Sequence, residues 1–203
     1  MMHNCILLMG IKNSGKSSLG RRLASRTGAS FIDLDDIIED IFSEEYASNP
    51  RVKQRCREIY RNQGKDFFHD LELQAVLRIS EICLQVNNDS ADTPDALGTV
   101  VALGGGIADN NLAMKELQNL GLKIFLENEA GTLFSRIQRQ GLPPFLEGKD
   151  PYGKFLSLFD RRTKVYRNYA DIILNLSGRD LNNSLEALIN SIKESPKEHG
   201  HAG

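Results

Sequence analysis

The sequence is poor in the features that would tie it to a membrane, a disulfide framework or a nucleic acid. Its longest uninterrupted apolar run has five residues, Cys5–Met9, too short for a signal-peptide core or a membrane span. Cysteine is scarce: Cys5, Cys56 and Cys83 are odd in number, widely spaced and without a CxxC pair or an adjacent His to complete a metal site. Reduced, buried thiols are the expectation. An excess of one charge is also missing, with 25 Lys plus Arg against 27 Asp plus Glu, so no electrostatic footprint for nucleic acid or a membrane surface is present. No internal repeat or low-complexity block occurs. These absences predict a cytoplasmic protein that acts on a small-molecule substrate, with no nucleic-acid or membrane partner and a monomer as the default state.

What the chain does contain is length for one real core and a β/α alternation. Its 203 residues match one α/β domain, expected over residues 1–195, with a flexible tail at 196–203 whose His199 and His201 have no expected metal role. Five short apolar stretches read as strands: Cys5–Met9, 31–33, 99–103, 123–126 and 171–174. Between them, helical periodicity is legible after Gly15, from Asp35 through Phe42, over 67–84, over 130–140 and over 153–169. The polar stretch 43–55, with Pro50, reads as a turn between helices, and 87–97 as a polar loop. Such an alternation implies a five-stranded parallel sheet flanked by helices. Residues 141–151, with three prolines and two glycines, can hold neither helix nor strand for long and are a candidate mobile lid.

The first strand runs straight into Gly10-Ile-Lys-Asn-Ser-Gly-Lys16-Ser17, a complete GxxxxGK[ST] motif between a strand and a helix. Its chemistry is specific. Gly10, Asn13, Ser14, Gly15, Ser17 and Ser18 present backbone N–H groups and hydroxyls to phosphates, Lys16 bridges them, and Ser17 ligates Mg²⁺. ATP with Mg²⁺ is therefore the expected cofactor pair, because phosphoryl transfer needs the β and γ charges neutralised.

Further landmarks follow in order: Asp33-x-Asp35 after the second strand, Gly64 to Glu72 in a GxxxFxxxE spacing, Gly104-Gly105-Gly106 after the third strand, then Arg136, Arg162 with Tyr166, and Arg179. Together they resemble the shikimate kinases, a P-loop family related to the nucleoside-monophosphate kinases. The resemblance runs from about Ile6 to Ile192, with apparent expansions near 43–54 and 87–97. It implies transfer of the ATP γ-phosphate to a shikimate hydroxyl, a substrate-binding region at about 35–86 and a lid at 141–151. It further implies that Asp33 holds Mg²⁺ through water and that Asp35 positions or deprotonates the attacking hydroxyl. Gly104, Gly105 and Gly106 would face the substrate, Arg162 its carboxylate, and Arg136 and Arg179 the base. Other readings stand beside these: Asp35 and Asp36 as caps of the following helix, the glycines as a flexible turn, Arg136 and Arg179 as solvated side chains, and Arg161 in place of Arg162.

Two positions depart from the family pattern. His69 stands where the family carries an arginine for the shikimate carboxylate, and Pro143 where a lid arginine reaches the transferring phosphates. A neutral imidazole has one donor, so bidentate recognition is lost. Arg61, Lys65 or Arg139 are the candidate compensating cations. The alternatives are a kinase for a different small polyol or hydroxy acid, or a nucleotide-binding pseudokinase or sensor.

Overall fold

The fold was analysed in a computed structural model that describes residues 5–47, 53–89 and 98–195. Five parallel strands form one sheet: β1 (Cys5–Met9), β2 (Ser30–Asp33), β3 (Thr99–Ala102), β4 (Leu122–Glu127) and β5 (Ile172–Asn175), in the order β2-β3-β1-β4-β5. The register fixes β1 at the centre, with Leu8 opposite Ala102 on β3 and Ile124 on β4. Because side chains alternate along a strand, Leu7 and Met9 enter one core while Ile6 and Leu8 enter the other. This is why β1 reads as an unbroken apolar run.

Among the described residues, eight α-helices cover the two faces. α1 (Lys16–Thr27) and α8 (Leu181–Glu194) bury Leu19, Leu23, Leu185 and Leu188 on one side. The other side takes α2 (Leu34–Glu45), α3 (Cys56–Gln63), α4 (Lys65–Asp89), α5 (Asn111–Glu116), α6 (Ala130–Arg139) and α7 (Pro151–Tyr169). α2 starts where Asp33 caps it, its Oδ1 accepting from the Asp35 N–H at 3.2 Å. The cap is thus Asp33, and neither Asp35 nor Asp36 fills that place. α4 continues through Asp89, so residues 87–89 are helical where the polar composition suggests a loop. Residues 48–52, 90–97 and 196–203, which include part of the first expansion, most of the second and the tail, lie outside the described residues.

The segment expected to be a lid contains one 3-10 turn, Pro144–Leu146, between Gly141 and Gly148, both at positive φ. Pro143 and Leu146 point inward and are buried, while Phe145 is exposed. Arg57 of α3 reaches across to it, donating to the Leu142 carbonyl at 2.8 Å. Cys5 and Cys83 are free and buried as expected, with their sulfurs 2.8 Å apart, whereas Cys56 is only half-buried and its thiol lies 3.4 Å from the Asp35 carbonyl.

Candidate active site

The site is assembled at the carboxyl ends of the strands, the edge where parallel α/β sheets present their loops. After β1 the chain turns through Gly10 (φ 154°), Asn13 (φ 66°) and Gly15 (φ 101°), left-handed conformations that aim successive N–H groups inward. Gly10 is required sterically too, since a Cβ there would meet Ser14 Oγ at 2.7 Å. Asn13 Nδ2 and Ser14 Oγ are buried without a partner among the described residues. Buried donors of this kind are costly unless a ligand satisfies them, and a polyanion fits the deficit. Lys16 begins α1, is buried, and donates to the Gly10 and Ile11 carbonyls at 2.9 and 3.1 Å. Burial pushes its pKa down to about 8, against the charges of Asp35 and Asp33, which pull it up.

A cavity of about 390 Å³ opens over this loop, lined by its residues 13–19 and by Arg136, Gln140, Arg179 and Leu181. Arg136 is held there by a hydrogen bond from Nη1 to the Asn13 carbonyl at 3.0 Å, and Arg179 also lines the cavity. Of the expected nucleotide residues, Asn13 through Ser18, Arg136 and Arg179 are therefore brought together around one space, and Gly10 is not among its lining. The Ser17 hydroxyl and the Asp33 carboxylate are hard oxygen donors suited to Mg²⁺, an ion that takes few protein ligands and completes its shell with phosphate and water. Among the described residues no cluster of three or more His, Cys, Asp or Glu stands together.

On the other side of the loop, the glycine turn after β3 contacts three separate parts of the site. A Cβ on Gly104 would lie 3.3 Å from Asp35 Oδ1 and 3.8 Å from Glu72 Oε1; on Gly105, 2.7 Å from the Lys12 N; on Gly106, 3.4 Å from Arg162 Nη2. α7 supports this turn from below. Tyr166, fully buried and stacked on Phe125 at 5.5 Å, places its hydroxyl 3.4 Å from the Gly104 carbonyl. Arg162, one helical turn earlier on the same face, donates to the Gly105 carbonyl at 3.0 Å and to Asp109 at 2.7 and 3.1 Å.

Electrostatics sort the carboxylates. Burial, with Asp33 nearby, raises Asp35 to about 6. Glu72 is raised to about 7 by burial, although the hydrogen bond from Asn110 Nδ2 at 3.2 Å works the other way. Burial also opposes ionisation of Asp109, but Arg162 and Arg161 hold it below the ordinary range. His69 lies beside Asp66, Asp109 and Asn110 in a second, shallow cavity rather than in the nucleotide cavity. Burial and Lys65 lower its pKa, so it is neutral near pH 7.

A family model described as shikimate kinase matches residues 12–193. The chain belongs to the shikimate kinase family. A shikimate kinase of Chromobacterium violaceum is 32% identical over 189 residues, covering 93% of this chain and 90% of that protein. Another, from Symbiobacterium thermophilum, is 29% identical over 98% of this chain and 99% of its own length. In structure the chain resembles the shikimate kinase of Acinetobacter baumannii solved in complex with shikimate, with a TM-score of 0.75, 20% identity and 94% and 93% of the two chains covered. The thymidylate kinase of Candida albicans follows at a TM-score of 0.52 and 15% identity, covering 95% and 92%. Likeness at those identities is one of fold, the five-stranded parallel P-loop kinase sheet.

Within the shikimate kinase frame, several residues of this site escaped the sequence reading. Asp109, which binds both Arg161 and Arg162, was one; Arg161, the alternative to Arg162, makes contacts of 2.9 and 3.0 Å to it although its side chain is 64% exposed. Asn110 and Lys12 were others, and Glu72 is named by its motif alone, without a role. The carboxylates and the lysine sit within the GxxxFxxxE stretch, the turn after the glycines and the P-loop, so their position in known motifs was the available signal. Of the suggested compensating cations, Arg61, Lys65 and Arg139 are all exposed, and only Lys65 acts on His69.

Proposed function

We propose that this chain transfers the γ-phosphate of ATP to a hydroxyl of shikimate, giving shikimate 3-phosphate for aromatic amino acid biosynthesis in the cytoplasm. One observation carries the reading: the nucleotide loop and the Asp35–Gly104–Arg162 cluster adjoin across Gly105, whose Cβ position lies 2.7 Å from the backbone of Lys12. Donor and acceptor loops are in contact, which in-line transfer requires.

In this reading ATP lies over Gly10, Asn13, Ser14, Gly15, Lys16, Ser17 and Ser18, with its base between Arg136 and Arg179. Asp35 accepts the proton of the attacking hydroxyl. The acceptor oxygen bonds to the γ-phosphorus, the bond from that phosphorus to the β,γ-bridging oxygen breaks, and ADP leaves with the electron pair. Ser17 and Asp33 would hold Mg²⁺, which supplies charge neutralisation at the β and γ oxygens. Arg162 keeps two of its five N–H donors beyond the three used by Asp109 and Gly105, and those face the acceptor carboxylate. Gly104 and Gly106 leave room for the acceptor beside Asp35 and Arg162. Residues 141–151 close over both ligands and exclude water.

The test is coupled ADP release with ATP and Mg²⁺, with and without shikimate. Saturable shikimate-dependent turnover that disappears in Asp35→Asn is expected; ATP binding without any shikimate-dependent turnover defeats the assignment of acceptor. His69 favours a second reading, an acceptor without shikimate's carboxylate, such as a polyol. A panel of hydroxylated compounds in the same assay separates the two by kcat/KM.

A further inference from the structure

We infer that Lys12, the third residue of the phosphate loop, is a catalytic cation that binds the phosphoryl group while it passes from ATP to the acceptor. The inference rests on the kinase reading above and adds a residue to it.

Three observations converge on Lys12. First, its place: its N and Cα lie 2.7 and 2.9 Å, and its Cβ 3.2 Å, from the Cβ position of Gly105, so its side chain leaves the loop at the seam between the nucleotide and acceptor halves. Second, its reach: its positive charge acts on both Asp35 and Lys16, the groups that flank the reacting atoms. Third, its availability: Lys12 is exposed and its ammonium has no hydrogen bond or ion pair among the described residues.

The neighbouring cations are engaged elsewhere. Arg162 and Arg161 are held by Asp109, Arg136 by the Asn13 carbonyl, and Arg57 by the Leu142 carbonyl. Lys16 is tied to the loop's own carbonyls. Residues 141–148 contain no Lys, Arg or His, and the one cation of the expected lid, Lys149, stands at its end beside Asp150. As the acceptor oxygen bonds to phosphorus and the bridging bond breaks, charge spreads over three equatorial oxygens. The two donors left on Arg162 are assigned to the acceptor carboxylate and Arg179 to the base, so Lys12 is the cation at the seam placed to receive it. A lysine suits this position because its ammonium is a compact point charge on a flexible stem and follows a moving group.

The experiment compares wild type, Lys12→Met and Lys12→Arg for binding of ADP·Mg²⁺ alone and of ADP·Mg²⁺ with aluminium fluoride, a planar mimic of the transferring phosphoryl group. Each is measured by calorimetry with and without shikimate, after thermal melting has shown that the variants fold. The expected result is ADP affinity within threefold of wild type in both variants. The fluoride complex should be weakened at least tenfold in Lys12→Met and largely restored in Lys12→Arg, with kcat falling in parallel while the KM for ATP holds. Equal fluoride affinity in wild type and Lys12→Met overturns the inference. So does an equal loss of ADP and fluoride affinity, which would make Lys12 a ground-state nucleotide ligand. If shikimate is not the acceptor, turnover fails in wild type as well, and the shikimate-free fluoride comparison still decides the role of Lys12.

Discussion

Arg162 meets Asp109 through Nη2 at 2.7 Å and Nε at 3.1 Å, both on the same carboxylate oxygen. The pair spans α7 and the turn after the glycines, with Arg162 only 12% and Asp109 17% exposed in their side chains. Asp109 thus orients the guanidinium before any acceptor arrives. Asp109→Asn keeps a carbonyl acceptor but removes the charge. We expect KM for shikimate to rise about tenfold, the size of one charge-assisted bond, with a smaller change in kcat. An unchanged KM would mean that Arg162 is aligned by Gly105 alone.

His69→Arg should act in the opposite direction. An arginine there lies one turn from Glu72 on α4, and its planar fork offers the bidentate donors that neutral His69 lacks. KM for shikimate is expected to fall ten- to a hundredfold, read from initial rates at saturating ATP. A higher KM would indicate that this pocket is fitted to another acceptor.

Glu72 makes stability depend on pH in a direction unusual for a carboxylate. Its folded pKa of about 7 exceeds the ordinary glutamate value of 4.5, so the native state holds the proton more tightly than the unfolded chain. The stability linked to this proton is fully present below about pH 4.5 and is lost as pH rises through 7. The difference amounts to about 3 kcal/mol between those limits. Glu72→Gln, which can still accept from Asn110, should remove that loss. Urea unfolding at pH 5 and pH 8 checks it: the variant's advantage should appear only at the higher pH, and parallel behaviour of the two proteins would contradict the assignment.

Gly105→Ala and Gly104→Ala should differ. At 105 the new methyl meets backbone atoms of Lys12, which cannot move without dragging the phosphate loop; at 104 it meets the end of the Asp35 side chain at 3.3 Å. We expect Gly105→Ala to cost about 1–3 kcal/mol of stability and most of the turnover. Gly104→Ala should fold near-normally and lose activity through Asp35. Thermal melts and rates for both variants separate these outcomes.

The parts legible in the sequence are those written locally. β1 was read to its residue limits, and the P-loop residues fall on the strand-to-helix turn because a motif of eight consecutive positions encodes one continuous piece of backbone. What stayed hidden depends on contacts between distant segments. α3 begins where Glu39, 17 residues earlier, accepts from the Cys56 N–H at 3.1 Å, a cap that a polar stretch does not announce. Asn110 reaches Glu72 across 38 residues and Arg162 reaches Asp109 across 53. The choice between Arg161 and Arg162 likewise needed the fold: both touch Asp109, but only Arg162 also grips the glycine turn.

All five strands run the same way, and their carboxyl ends carry Gly10, Asp33 and Gly104, while the chain enters β3 at Thr99 on the far rim. An engineer is thereby given a handle. Ser30, exposed at the entry of β2 on that same rim, is a point where a fluorophore or affinity tag would attach the protein to a surface with its reacting edge facing outward.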